Sequence, residues 1–265
     1  MVHSIISNKA NRLFLILGGF FIANALIAEI IGVKIFSLEQ TLGMAPLSLR
    51  IFGNELSFNL TAGVLLWPVV FIMTDLINEY YGTRGVRFLS WLTAGLIVFA
   101  FIIFMGAIRL SPAAFFVTSK QGSGVPDMQL AYTSVLGQGG FIIVGSLTAF
   151  LLGQLVDVLV FHRIKKLTGE KYIWLRATGS TLVSQFLDSF VVLFIAFYVG
   201  TRVNAQPGDF EWPMSLFLAV GIVNYCYKFC VAVLLTPVIY WVHSLIENYL
   251  GKELAASMKK EAMTD

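Results

Sequence analysis

Charge is what this 265-residue chain has least of: Asp, Glu, Lys and Arg make up 12% of it, against 57% hydrophobic residues. Soluble domains carry about twice that charged fraction, so the composition excludes an ordinary globular domain and names lipid as the solvent. Cysteine and histidine are also scarce. Cys226 and Cys230, one helical turn apart in an apolar stretch, allow no disulfide framework, and with His3, His162 and His243 scattered they offer no metal-ligand spacing. Both cysteines read as small packing residues, and no metal or cofactor is called for. The chain has no Gly-x-x-x-x-Gly-Lys-Ser/Thr loop, which excludes ATP hydrolysis through that motif. It has no polybasic tail to hold nucleic acid and no low-complexity tract. No Gly-x-Gly-Asp surrounds any aspartate, which leaves an intramembrane aspartyl hydrolase built from two of Asp75, Asp157 and Asp188 as a remote alternative to a non-enzyme.

What remains is apolar sequence. Stretches long enough to cross about 30 Å of hydrocarbon fall near 13–35, 59–81, 87–110, 133–161, 176–200 and 212–242. They predict an all-α integral membrane protein with six transmembrane helices, a membrane domain over 13–245, an N-terminus over 1–12 and a tail over 246–265. Lys9, Arg12, Arg84, Arg87, Arg163, Lys165, Lys166, Lys171, Arg176, Lys252, Lys259 and Lys260 fall on one side, against Arg50, Arg109, Lys120 and Arg202 on the other. Both termini are therefore expected in the cytoplasm. Lys9 and Arg12 ahead of Ala23-Asn24-Ala25 imitate a signal peptide, but the apolar run continues to about Phe36, which is span length.

Between the first two spans, Leu47 to Phe58 alternates around Gly53-Asn54 and predicts a short external β-hairpin. Leu110 to Tyr132, with Pro112, Gly122-Ser123-Gly124 and Pro126, reads as an irregular loop. Gly145, Ala149 and Gly153 form a small-residue ridge that admits a close helix partner, in this chain or in a second copy of it.

Polar residues inside the spans carry the functional information, because each is costly at the bilayer centre unless it faces a cavity or a partner. The first span holds Asn24, Glu29 and Lys34, and the fourth Gln154 and Asp157. In the fifth, Thr181, Ser184, Gln185 and Asp188 follow i, i+3, i+4, i+7 spacing; in the sixth, Asn224 and Lys228 are four apart. Asp188 and Lys228 both come out near mid-membrane and form a candidate ion pair, either a structural bridge or a contact that a substrate or proton breaks. In the second span Trp67, Phe71, Asp75 and Glu79 recur every four residues with Asn78 beside them, and Pro68 is expected to bend the helix. Two rings then precede two acids on one ridge, where a flat heteroaromatic ligand can stack while a carboxylate accepts from its edge. The alternative for Glu79 is a solvated pairing with Arg84.

Thr74-Asp75-Leu76-Ile77-Asn78-Glu79-Tyr80-Tyr81-Gly82 resembles the signature of the queuosine-precursor transporters, a bacterial group also placed among vitamin-uptake transporters. Asp157 to Arg163, Trp174-Leu175-Arg176 through Asp188-Ser189, and Lys228 with Thr236-Pro237 are similar to that family's fourth, fifth and sixth spans, in the same order. The resemblance implies a six-helix inner-membrane transporter, similar in architecture to the substrate-binding subunits of energy-coupling-factor vitamin importers, or such a subunit working with a separate ATPase. The implied cargo is a 7-deazaguanine, either 7-cyano-7-deazaguanine, 7-aminomethyl-7-deazaguanine or queuine, destined for queuosine in tRNA. A guanine-like base offers a ring N–H beside an exocyclic amine, which Asp75 or Glu79 suits, while Trp67 or Phe71 stacks and Asn24, Asn78, Gln185 or Asn224 meets the carbonyl and ring nitrogens. Asp157, Asp188 and Lys228 are the candidates for proton or ion-pair roles.

Overall fold

Asn8 begins the first helix by accepting from the backbone N–H groups of Ala10 and Asn11, and α1 runs over Lys9–Ile31. The computed structural model describes residues 7–137, 140–168, 172–203 and 212–263. Past α1 the chain does not stay helical to Phe36. Ile35–Ser37 (β1) pairs antiparallel with Asn59–Thr61 (β4), and between them lie α2 (Leu38–Thr41), β2 (Leu49–Ile51) and β3 (Asn54–Leu56). Glu39 anchors this outer loop, accepting from the Phe58 N–H at 2.8 Å and the Ser37 hydroxyl at 3.1 Å while itself buried. The β2–β3 hairpin turns one residue earlier than Gly53-Asn54. Ile51 pairs with Asn54, so Phe52 and Gly53 are the turn, at φ 50° and 79°, the positive values that a two-residue connection requires.

Because Asn59–Thr61 is a strand and Ala62–Leu65 a 3₁₀ turn, the next helix opens at Trp67 and not at Asn59. Pro68 thereby falls in the first turn, where its missing N–H costs nothing; it starts the helix and bends nothing. This helix, α3 (Trp67–Ile108), has 42 residues and is broken at Gly82, at φ 68° and ψ −172°. Neighbours on α1 reveal a reversal of direction there. Before Gly82, Gly63 lies against Ala28 and the Tyr81 hydroxyl donates to the Ala10 carbonyl at 2.7 Å, so the chain runs antiparallel to α1. After it, Gly85 meets Phe14 and Leu89 meets Gly18, so the chain runs parallel. A side chain at Gly82 has no comfortable conformation. Gly82→Val is expected to cost about 1–3 kcal/mol, read as a lowered melting temperature of the detergent-purified protein; an unchanged melting temperature would mean that the reversal survives in another backbone geometry.

The chain continues through α4 (Ala114–Thr118), α5 (Met128–Leu136), α6 (Gly140–Thr168) and α7 (Ile173–Leu193), which passes through a π turn at Phe194–Val199 into α8 (Gly200–Val203). Then come α9 (Met214–Leu250) and α10 (Lys252–Glu261). Among the described residues five helical segments are long and apolar enough to cross a membrane: Lys9–Ile31, Trp67–Ile108, Met128–Thr168, Thr178–Val199 and Met214–Leu250. Large apolar side chains such as Phe20, Phe88, Ile102, Leu234 and Trp241 point outward, as lipid contact demands. Cys226 and Cys230 are exposed with them, which corrects the expectation that they pack inside.

The Gly145-Ala149-Gly153 ridge finds its partners within this chain. A Cβ on Gly145 would stand 3.2 Å from the Val192 carbonyl, and one on Gly153 would touch Phe71, Asp188 and Ser184. Small residues here let α6 approach α7 closely enough for their polar side chains to meet. At the opposite end the elements rich in Lys and Arg converge. Lys9 and Arg12 reach Tyr249, the Tyr80 hydroxyl pairs with His243 Nδ1 at 3.0 Å, and α10 lays Ala255 and Met258 against the same end.

Candidate functional site

Three layers of buried polar groups lie between α3, α6, α7 and α9. Nearest the basic end, Lys165 Nζ sits 3.3 Å from Glu79 Oε2 and donates to the Glu79 backbone carbonyl at 3.1 Å. Both side chains are about 1–2% exposed, so Glu79 is not a solvated rim. Lys165, counted with the loop cations in the sequence, is a buried helix residue. The missed signal was periodic: Asp157, Phe161 and Lys165 are i, i+4, i+8 on one face of α6.

One turn deeper, about 6 Å, stand Asp75 and Asp157. The hydroxyls of Ser180 and Thr181 approach Asp75 at 3.4 Å each, and Ser184 donates to Asp157 Oδ1 at 3.1 Å. Ser180 lies between the two carboxylates. Beside them Thr74 donates to Gln154 Oε1 at 2.9 Å. In the third layer Lys228 Nζ meets Asp188 Oδ2, beside Gly153 of α6. Glu29 of α1, also buried, is bonded by the Ser146 hydroxyl.

Among the described residues seven charged side chains are thus buried in these helices: Glu29, Asp75, Glu79, Asp157 and Asp188 against Lys165 and Lys228. The lysines take Glu79 and Asp188. Among the described residues Asp75 and Asp157 are hydrogen-bonded by hydroxyls alone, with Asp157 Oδ2 accepting from no protein group. Around them Asn78 Nδ2, Gln154 Nε2, both amide atoms of Gln185 and Ser189 Oγ are buried without a protein hydrogen-bond partner. Groups in that condition call for water or a ligand.

The aromatic row behaves differently. Trp67 packs on Phe150 with ring centroids 5.7 Å apart, and Phe71, buried, lies against Gly153, so both rings are wall material in this conformation. Asn24 and Asn224, half-buried, turn their amides onto their own helices at the carbonyls of Phe20 and Val220. A cavity of ≈ 20 Å³ opens between α3, α7 and α9, lined by Pro68, Ile72, Thr181, Gln185, Lys228 and Ile239. That is room for about one water.

A relative from Bacillus subtilis (strain 168), named a probable queuosine precursor transporter, is 29% identical over 194 residues, covering 72% of this chain and 76% of its own. The queuosine precursor transporter of Escherichia coli (strain K12) is 28% identical over 211 residues, covering 78% and 82%. A similar protein of Haemophilus influenzae, also named a probable queuosine precursor transporter, is 28% identical over 190 residues, covering 72% and 71%. No solved structure matches the chain. The model of one family, described as putative vitamin uptake transporter, matches residues 61–242, from the strand before α3 to near the end of α9, and the chain belongs to that family.

Proposed function

We propose that this chain is an uptake transporter, and not an enzyme, for queuosine precursors, taking a 7-deazaguanine base through the layered polar site. One observation carries the reading: of the acids described as buried in α3, α6 and α7, Asp75 and Asp157 alone are left without a lysine among the described residues, and the same helices hold amide atoms of Asn78, Gln154 and Gln185 without a protein partner. A guanine-type edge supplies the two parallel donors that such a carboxylate lacks, and Asn78 and Gln185 supply donors and acceptors for the carbonyl and ring nitrogens. Glu79 and Asp188, each held by its lysine, close the site toward its two ends. Trp67 and Phe71 become stacking partners once α6 and α3 separate, and Asn24 and Asn224 stand by with half-buried amides.

We read the chain as six spans in a bacterial inner membrane, because the reversal at Gly82 divides α3 into two opposed helices. Both termini are read as cytoplasmic, since Lys9, Arg12, Arg84, Arg87, Lys252 and Lys259 gather at one end. The similarity to energy-coupling-factor substrate-binding subunits belongs to this reading of architecture. Asp75 and Asp157, buried with no lysine beside them among the described residues, are placed to take up and release a proton, which favours ion-coupled uptake over simple facilitation.

Binding by the detergent-purified chain to 7-cyano-7-deazaguanine, 7-aminomethyl-7-deazaguanine, queuine, guanine and adenine tests the reading. Saturable binding of a 7-deazaguanine with weaker binding of both ordinary purines is expected. Equal binding of all five would make it a general nucleobase carrier, and no binding of any would end the proposal. Uptake by cells expressing only this chain, abolished by a protonophore, is expected for a lone proton-coupled carrier; a requirement for a co-purifying ATPase would identify an energy-coupling-factor subunit instead.

A further inference from the structure

Outside the polar layers a second cavity, of ≈ 450 Å³, opens between α6 and the part of α3 that follows Gly82. Arg87, Ser90 and Trp91 face it from α3 at i, i+3 and i+4, and Leu151, Leu155 and Val158 face it from α6 at i, i+4 and i+7. Every polar group of this wall can donate: Arg87 and the Gln154 amide nitrogen only donate, and the Ser90 hydroxyl can turn its hydrogen inward. Ser90 Oγ and Gln154 Nε2 are buried there without a protein partner, while Gln154 Oε1 is already occupied by Thr74. Arg87 is exposed and has no acidic partner among the described residues. No carboxylate lines the cavity, so its polar corner suits an anion.

The rest of the wall is hydrocarbon that opens sideways: Trp91 is 68% exposed and Leu155 45%. Arg87 stands five residues beyond the reversal at Gly82, about 7 Å along the helix from the basic end. That is headgroup depth for a side chain as long as arginine. An occupant must therefore be anionic at one end and apolar along the other, at the height where a bilayer places its phosphates. We infer that the groove binds an anionic phospholipid of the leaflet at the basic end, its phosphate on Arg87, Ser90 and Gln154 and an acyl chain along Trp91 and Leu155. A lipid seated there also touches the layer of Asp75 through the Gln154–Thr74 hydrogen bond, which ties the occupancy of the groove to the spacing of α3 and α6.

Native mass spectrometry of the full chain in detergent, titrated with phosphatidylglycerol and with phosphatidylethanolamine of the same acyl chains, tests this directly. Wild type is expected to retain phosphatidylglycerol in preference. Arg87→Gln should lose about fivefold in retention, the value of one cationic side chain at an anionic surface. Leu155→Trp, which fills the groove without altering charge, should lose retention too, while Lys166→Gln, an exposed cation at the same end, should leave it unchanged. Equal losses in Arg87→Gln and Lys166→Gln with none in Leu155→Trp would reduce the effect to surface charge and overturn the site. Displacement of bound lipid by soluble glycerol phosphate would overturn the lipid and leave a small-anion site.

Discussion

Replacing Lys165 by methionine is expected to destabilise the protein by about 3–5 kcal/mol, the penalty for leaving a buried charge without its partner. Glu79 is about 1% exposed and has its charge matched by Lys165 at 3.3 Å. The same ammonium also satisfies the Glu79 backbone carbonyl at 3.1 Å, so the substitution opens two acceptors at once. The loss should appear in thermal unfolding of the purified protein in detergent. Neutralising both partners, as in Glu79→Gln with Lys165→Met, should recover most of it, because a buried pair offsets its own desolvation cost only narrowly. A single Lys165→Met variant as stable as wild type would mean that Glu79 has water or another cation available. Recovery in the double variant together with lost uptake would separate a role in transport from a role in holding α3 to α6.

This pair also marks what could be read from the residues alone. Asp188 and Lys228 were legible because each sits alone near the middle of an apolar span, where a charge has no other explanation. Lys165 was not, because Arg163-Ile164-Lys165-Lys166 looks like a loop of cations, and only the length of α6, which continues to Thr168, turns one of the four inward. The start of α3 was misplaced for a related reason. Asn59 to Leu66 is as apolar as the helix after it, and strand pairing with Ile35–Ser37, a contact across more than twenty residues, decides its conformation. The sharp reversal at Gly82 was hidden as well. Sequence patterning suggests a loop between two spans, whereas one glycine at positive φ makes the turn and leaves Glu79 and Tyr80 buried beside it. Asp75 was recognisable from its apolar surroundings, but its pairing with Asp157 and the hydroxyls of α7 depended on the close approach that Gly145 and Gly153 permit.

Asp75→Asn should weaken binding of every 7-deazaguanine by about 10²-fold, since a hydrogen bond to a charged acceptor contributes up to about 3 kcal/mol. The amide keeps the shape of the side chain but replaces one acceptor oxygen with a donor, which faces the donor edge of the base. Folding should be largely unaffected, because Asp75 receives only two long contacts of 3.4 Å from Ser180 and Thr181 and no cation. Asp157→Asn separates the cargoes. Asp157 shares the Ser180 hydroxyl with Asp75 and has no protein donor on Oδ2, which leaves that oxygen for a cationic substituent of the cargo while Asp75 takes the base edge. The aminomethyl compound, which carries an ammonium, should therefore lose more affinity than the neutral cyano compound in Asp157→Asn, while Asp75→Asn lowers both alike. Isothermal titration of the three purified proteins with each compound reads the difference. Parallel losses in both variants would assign the two carboxylates a single shared role, and unchanged affinity in Asp75→Asn would move the base out of this layer altogether.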